Sequence, residues 1–191
     1  MQEKQSQWLP SAVVLPSPNY DDRPAQMSIE AVIVHSISLP PGQYSRLAAD
    51  QLGDHPVIEF FQNRLDHNQH EYYQALRELR VSSHFFINRA GRLSQCVPIN
   101  KRAWHAGESY CLSRSGVNDF SIGIELEGLD TGSDGFTHAQ YQTLGNLISQ
   151  LVEICPHLNA DAVFAHSDIA VGRKLDPGHQ FNWARLYASL S

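Results

Sequence analysis

Two histidines and an aspartate occupy positions from which they could hold a metal ion. His35 lies near the end of one apolar, β-branched run, His166 ends another, and Asp176 follows ten residues later in HSDIAVGRKLDPG. A catalytic zinc site uses three such ligands and keeps one position for water, whose pKa falls to about 7. Spacing alone is weak support, because each histidine could be an ordinary hydrogen-bonded residue at a strand end. At this point the trio is only one hypothesis, because the sequence contains ten histidines from which ligands could be chosen.

Charged residues that could act beside such an ion lie in two further segments. Glu125 and Glu127 share the polar face of the alternating run FSIGIELEG, and either could transfer a proton during a reaction at such a site. Periodicity does not choose between them. Lys174, two residues before Asp176, could stabilise a negative charge that develops in the same site. The alternative for all three is a solvated surface charge.

Three other residues compete for places near this site. Asp168 follows His166 by two residues and could be mistaken for the third ligand; we interpret it as a loop or supporting residue. His84, in the middle of SSHFFI, and His105, in AWHAG, could each replace a ligand. We interpret His84 as a structural, hydrogen-bonded residue.

The elements that must position these residues alternate between strands and helices. Strands are predicted over 28–38, 81–88, 91–99, 120–128 and 161–166, with a tight hairpin turn at 89–91. Helices are predicted over 44–52, 71–80, 137–155 and 181–190, of which the third has the clearest apolar stripe and a threonine cap. This order predicts the α/β (α+β) class, with a mixed central β-sheet flanked by helices.

Composition favours one soluble domain over 1–191, with an extended, proline-broken lead-in over about 1–28. The net charge of −6 and the lack of basic runs longer than two residues argue against nucleic-acid binding. No run approaches the roughly 20 apolar residues that cross a bilayer, and no secretory signal is evident. Three cysteines without a metal or redox spacing suit reduced thiols. We expect a cytoplasmic monomer that does not bind membranes.

Six segments together resemble a known family of amidases. They are VVLPSPNYDDRP, VIVHSISLPPGQ, RVSSHFFINRAGRLSQCVP, KRAWHAGES, NDFSIGIELEG and AHSDIAVGRKLDPG. In this order, from about residue 13 to about 187, they are similar to the type 2 N-acetylmuramoyl-L-alanine amidases, and more closely to their cytoplasmic 1,6-anhydro-N-acetylmuramyl-L-alanine amidase branch. The resemblance implies the fold shared by type 2 amidases and peptidoglycan-recognition proteins.

The resemblance also assigns roles to residues of this chain. It implies one Zn²⁺ per chain held by His35, His166 and Asp176, with Glu125 and Lys174 as the catalytic residues. It implies a small muropeptide substrate, cleaved between the lactyl group of the sugar and L-alanine.

Substrate contacts are predicted less firmly than the metal ligands. Matching segments place Arg80, Trp104 and His105 beside the substrate, and Arg114 and Asn118 complete the set. The loop holding the last two departs from the family pattern, because relatives carry an arginine where this chain has Gly116. Arg114 could reach over in its place.

Three functions remain open from the sequence. The first is hydrolysis of anhydro-muropeptides during cytoplasmic cell-wall recycling. The second is cleavage of intact peptidoglycan, as in phage lysins. The third is a non-catalytic recognition module, which typically lacks a zinc ligand, whereas all three positions are filled here. The irregular segment 40–80 flanks His35 and Arg80, which raises the hypothesis of a mobile lid that the sequence does not decide.

Overall fold

The computed structural model describes residues 7–45 and 49–190. Its centre is a six-stranded sheet whose strands, in chain order, are β1 (Val13–Val14), β3 (Ala31–Ile37), β4 (Phe85–Ile87), β5 (Leu93–Gln95), β9 (Ser121–Glu127) and β10 (Val163–Ala165). Within the sheet they lie in the order β1-β5-β4-β9-β3-β10. Only the β4–β5 pair is antiparallel; the other neighbours run parallel. The predicted mixed sheet and fold class are confirmed.

Two short ribbons flank this sheet. The first pairs β2 (Tyr20–Asp22) with β6 (Lys101–Ala103), and the second pairs β7 (Tyr110–Cys111) with β8 (Arg114–Ser115). Described residues of the lead-in thus contribute β1 and β2. Neither strand was predicted, because two or three residues are too few to show an alternating pattern.

The helices are α1 (Pro56–Phe61), α2 (Glu71–Gln74), α3 (His138–Ile154), α4 (His166–Ile169) and α5 (Trp183–Tyr187). The longest, α3, confirms the predicted helix over 137–155. It begins at a capping box, in which Gln140 N donates to Thr137 Oγ1 (3.1 Å) and Thr137 N donates to Gln140 Oε1 (3.0 Å). None of the described helices is long and apolar enough to cross a membrane.

Two predicted helices differ from the structure. The helix predicted over 71–80 ends at Gln74, because only Tyr73 and Leu76 of this segment are buried and give further turns little to pack against. The helix predicted over 44–52 includes residues 46–48, which lie outside the described residues. After them, Ala49–Asp54 forms a 3₁₀ helix. The unpredicted α1 then begins where His55 Nδ1 accepts a hydrogen bond from Val57 N.

Alternation along the central strands separates the core from the site. Ile122, Ile124 and Leu126 of β9 pack with α3 in the main hydrophobic core. Ala31 and Ile33 of β3 face the opposite side and pack in a separate cluster with Phe120. Because side chains alternate along a strand, His35 shares the face of Ala31 and Ile33. The side chains that could take part in a reaction therefore lie on the sheet face opposite α3.

Candidate metal centre and active-site cleft

The carboxyl ends of three parallel strands bring the candidate residues to one edge of the sheet. His35 on β3 lies directly opposite Glu125 on β9 in the strand register. β10 runs parallel to β3 and is followed at once by His166. The backbone N–H of Ser167 donates to the carbonyl of Asp176 (3.0 Å), which returns the later loop to this edge.

His35, His166 and Asp176 converge on one point. Their facing atoms form a triangle in which His35 Nδ1 and His166 Nδ1 are 2.9 Å apart and lie 3.2 and 3.0 Å from Asp176 Oδ2. These three form the one group among the described residues whose His, Cys, Asp or Glu atoms are placed to hold a metal ion. A tetrahedral zinc with bonds of about 2.0–2.1 Å separates its ligand atoms by about 3.3 Å, so slight outward movement of each ligand admits the ion.

The protonation states at this centre suit a cation. Burial lowers the pKa of His35 to about 4, although its contact with the Asp176 carboxylate partly opposes this effect. Burial also acts to raise the pKa of Asp176, but its contacts with His166 and His35 outweigh burial and lower that pKa. Neutral imidazole and ionised carboxylate are the forms that bind metals.

Asp168, the competing candidate for third ligand, has another contact. Its Oδ2 accepts a hydrogen bond from the backbone N–H of Ala165 (2.9 Å) across the first turn of α4. It lies outside the converging group. Asp168 therefore fixes the turn that carries His166.

Glu125 and Glu127, which periodicity left equivalent, differ sharply in their surroundings. Glu127 is buried and saturated, since Ser45 N, His55 Nε2 and Arg89 N all donate to its carboxylate. Glu125 faces the cleft, and within the part of the chain that the structure describes its Oε2 is buried without a hydrogen-bond partner. Glu125 is therefore the carboxylate available for chemistry.

Electrostatics make Glu125 easier to protonate than an ordinary carboxyl. Burial, reinforced by repulsion from Asp176, raises its pKa well above the usual range, while Lys174 acts in the opposite direction. A carboxyl with a raised pKa can exchange a proton near neutral pH.

A cleft of about 500 Å³ opens over these residues. Glu125, His166 and Asp176 line it, as does Lys174, which is exposed. Among the described residues that line the cleft, the only arginine is Arg173 and the only lysine is Lys174. The cationic side of the cleft is thus the loop that carries Asp176.

The predicted substrate-binding residues are divided between the cleft and other surfaces. Trp104 and His105 line the cleft. Arg80 does not line it; its Nη1 donates to the carbonyls of Arg77 and Leu79, both at 2.9 Å. The substrate contacts of these residues stay predictions.

The loop that departs from the family pattern is held away from the cleft. Arg114 forms an ion pair with Glu30 (2.6 Å) and stacks its guanidinium 3.9 Å above the centre of the Phe120 ring. Gly116 adopts a left-handed conformation with φ of 73°, which disfavours residues with a Cβ. Asn118 points its Oδ1 to the backbone N–H groups of His105 (3.1 Å) and Ala106 (2.8 Å).

Three residues near the centre were not singled out from the sequence. Ser121 Oγ lies 3.2 Å from His105 Nε2, and Arg173 donates to the carbonyl of Ala106 (2.7 Å). A Cβ added at Gly123 would lie 2.5 Å from the His105 ring. A glycine inside a strand often marks such a close approach, so Gly123 was the sequence feature that could have indicated close packing against β9.

A family model agrees with this geometry. Residues 25–179 match the model described as N-acetylmuramoyl-L-alanine amidase. This range includes all three converging residues as well as Glu125 and Lys174.

Individual relatives extend the match to most of the chain. The 1,6-anhydro-N-acetylmuramyl-L-alanine amidase AmpD of Citrobacter freundii is 44% identical over 181 residues, covering 95% of this chain and 91% of its own. A crystal structure of a selenomethionine AmpD derivative superposes with a TM-score of 0.88 at 42% identity, covering 97% of this chain and 98% of that one.

A more distant solved structure carries a ligand. It is the N-acetylmuramyl-L-alanine amidase AmiD of Escherichia coli in complex with the substrate anhydro-N-acetylmuramic acid-L-Ala-D-γ-Glu-L-Lys. It is 26% identical, has a TM-score of 0.59, and covers 90% of this chain and 65% of that one.

Proposed function

This chain is a member of the N-acetylmuramoyl-L-alanine amidase family, and on that premise we propose that it hydrolyses soluble anhydro-muropeptides with the help of one zinc ion per chain. The bond cleaved is the amide between 1,6-anhydro-N-acetylmuramic acid and L-alanine. The similarity to AmpD over nearly the whole length of both chains supports this choice of substrate. So does the anhydro-muropeptide bound to the more distant relative AmiD.

One observation carries the proposal. The ligand atoms of His35, His166 and Asp176 lie within 4.8 Å of one another at the floor of a cleft that also holds Glu125. Two imidazoles and a carboxylate form the ligand set of a catalytic zinc site. When bound, the ion supplies a Lewis acid that polarises the scissile carbonyl and activates water.

The remaining chemistry falls to two side chains of the cleft. Glu125 is the group that carries a proton from the attacking water to the leaving amine of L-alanine, because burial and Asp176 raise the pKa of its carboxyl. Lys174 places a positive charge at the mouth of the cleft, where it can stabilise the oxyanion that develops on the amide carbonyl. Both residues act without being ligands of the ion.

The setting follows from the same proposal. We place the enzyme in the cytoplasm, as a recycling step for released wall fragments, and as a single-domain monomer over 1–191. The three cysteines are free and buried, which suits a reducing compartment. Cell fractionation and a sedimentation measurement of the native mass test these two assignments.

The experiment that tests the function compares two substrates. Purified enzyme is given either a soluble anhydro-muropeptide or intact sacculi, and release of the stem peptide is followed by mass spectrometry. We expect rapid release from the soluble substrate and slow release from sacculi. Faster hydrolysis of sacculi favours the lysin-like alternative and overturns the assignment to recycling. No release from either substrate favours the non-catalytic recognition module.

A variant assay connects the activity to the proposed centre. Asp176→Ala is expected to abolish release of the stem peptide, and chelator treatment of the wild type should do the same. Asp161→Ala serves as the matched control, because Asp161 is exposed and does not line the cleft. Full activity of Asp176→Ala together with full activity after chelation would exclude the zinc mechanism.

A further inference from the structure

His105 lies against the ring nitrogen of His35 that does not face Asp176. The two rings meet edge to face, and His35 Nε2 is 3.0 Å from His105 Nδ1. His105 is itself buried, with about 9% of its surface exposed. Both of its ring nitrogens have partners within the protein, which sets it apart from a side chain reserved for substrate.

The direction of each hydrogen bond that leads from Val117 through Ser121 and His105 to His35 can be assigned. Ser121 Oγ lies 2.6 Å from the carbonyl of Val117, which has no proton to give, so the hydroxyl donates there. Ser121 Oγ then accepts from His105 Nε2–H at 3.2 Å. His105 Nδ1 is left as an acceptor, and it takes the proton of His35 Nε2–H. The Nδ1 lone pair of His35 is therefore directed at Asp176 and His166.

The second histidine ligand is oriented from the same segment. His166 Nε2 lies 3.3 Å from the carbonyl of Ala106, the residue after His105, and so carries the proton. Its Nδ1 is then an acceptor that faces His35 Nδ1 at 2.9 Å. Three acceptor atoms in such close contact repel one another unless a cation lies between them.

The segment that carries these contacts is firmly fixed. Asn118 Oδ1 accepts from the N–H groups of both His105 and Ala106, and Arg173 Nη2 donates to the Ala106 carbonyl. The His105 ring packs where a Cβ at position 123 would lie 2.5 Å from it, so Gly123 is what allows the approach. His105 is thus held on its backbone, its ring face and its far nitrogen.

From this geometry we propose that His105 is a positioning residue for His35: it fixes the tautomer and the ring orientation in which His35 Nδ1 binds the metal ion. Partners that hold a ligand histidine in this way typically contribute 10–100-fold to metal affinity. The inference rests on the metal centre of the proposed function. It differs from the substrate contact predicted for His105, which would change KM and leave metal affinity unchanged.

The test measures zinc affinity by competition with a chromophoric chelator in three purified variants. His105→Phe removes the acceptor and keeps a ring, and is expected to weaken zinc binding about 10–100-fold. His105→Asn keeps an acceptor at the position of Nδ1 and is expected to recover most of the loss. His55→Phe is the matched control, because His55 is also buried but bonds to Glu127 and Val57 rather than to a metal ligand.

A second readout separates positioning from mere stability. In ¹⁵N NMR spectra of the metal-free protein, the His35 ring should be protonated at Nε2 in the wild type and in His105→Asn, and should lose this preference in His105→Phe. Equal zinc affinity of His105→Phe and wild type overturns the proposal, as does a His105→Asn variant that binds no better than His105→Phe.

If His105→Phe does not fold, Ser121→Ala is the milder variant. It removes the acceptor for His105 Nε2–H, and we expect a smaller loss of zinc affinity with a shift in the His35 tautomer. An unchanged affinity and tautomer in Ser121→Ala contradict the chain of hydrogen bonds. Zinc binding by the wild type is measured before any variant is compared. If the wild type binds no zinc at all, the metal centre of the proposed function is refuted, and not the role of His105.

Discussion

At the floor of the cleft, side chains come from the carboxyl ends of three parallel strands and from a loop that is hydrogen-bonded back to that edge, whereas at the rim they extend from a short helix and loops into solvent. The floor comprises Glu125, His166 and Asp176, and the last two contact the buried His35. The rim comprises Tyr72, Leu79, Lys174 and Leu175, of which Leu175 is 64% exposed. The comparison indicates that the floor is built to fix chemical groups at set distances, while the rim is left free to adapt to a substrate.

The largest effect that sharpens this comparison is expected from Glu125→Gln at the floor. Loss of the proton carrier should lower kcat on the order of 10²–10⁴-fold, while zinc content stays unchanged because Glu125 is not a ligand. Removing a buried carboxyl that Asp176 repels should also leave the metal-free protein at least as stable. Steady-state kinetics, metal analysis and thermal unfolding check these three points, and near-normal kcat would remove Glu125 from the mechanism.

Lys174→Met tests the one rim residue that we assign to chemistry. Loss of its charge should lower kcat on the order of 10²–10³-fold, as for an oxyanion-stabilising group. Arg173→Met is the neighbouring comparison, since Arg173 lines the same cleft but donates to the backbone of Ala106 and Glu108. If only KM changes in Lys174→Met, the lysine binds substrate and does not act on the transition state.

Gly123→Ala tests how tightly β9 packs against the His105 ring behind the floor. The added Cβ would lie 2.5 Å from the His105 ring, so we expect a loss of about 1–3 kcal/mol in the free energy of unfolding. Gly53→Ala is the matched control, because a Cβ there meets only Leu15 at 3.8 Å. Denaturant unfolding of both variants measures the difference, and equal stabilities would mean that the His105 ring can move away from position 123 at little cost.

The smallest effect is expected from Arg80→Ala outside the cleft. Its guanidinium bonds to the backbone of its own turn, so kcat/KM should change by about twofold or less, as for most surface substitutions. Arg77→Ala is the adjacent control. A tenfold loss confined to Arg80→Ala would restore the substrate contact predicted from the sequence and would mean that this part of the molecule moves over the cleft.

Strand geometry predicted where His35, His166 and Glu125 project, whereas the choice of these residues together with Asp176 came from the resemblance to the amidases. Alternation along FSIGIELEG separated Glu125 from the core, and parallel strands collect His35 and His166 at one sheet edge. Alternation could not separate Glu125 from Glu127, because the difference depends on hydrogen bonds from His55 and Arg89, which are distant in the chain.

The positions of the predicted arginines could not be obtained in this way. Arg114 turns towards Glu30, 84 residues earlier, and Arg80 folds back on its own turn. Neither contact leaves a periodic signal. The same holds for the contact between His105, which lies on a loop, and Ser121, the first residue of β9.

The most direct measurement is the metal content of the purified enzyme together with its activity on anhydro-muropeptide. The account predicts about one zinc per wild-type chain, loss of both zinc and hydrolysis in Asp176→Ala, and restored hydrolysis when zinc is returned to chelator-treated wild type. Metal-free wild-type protein that hydrolyses the substrate at the full rate would contradict it.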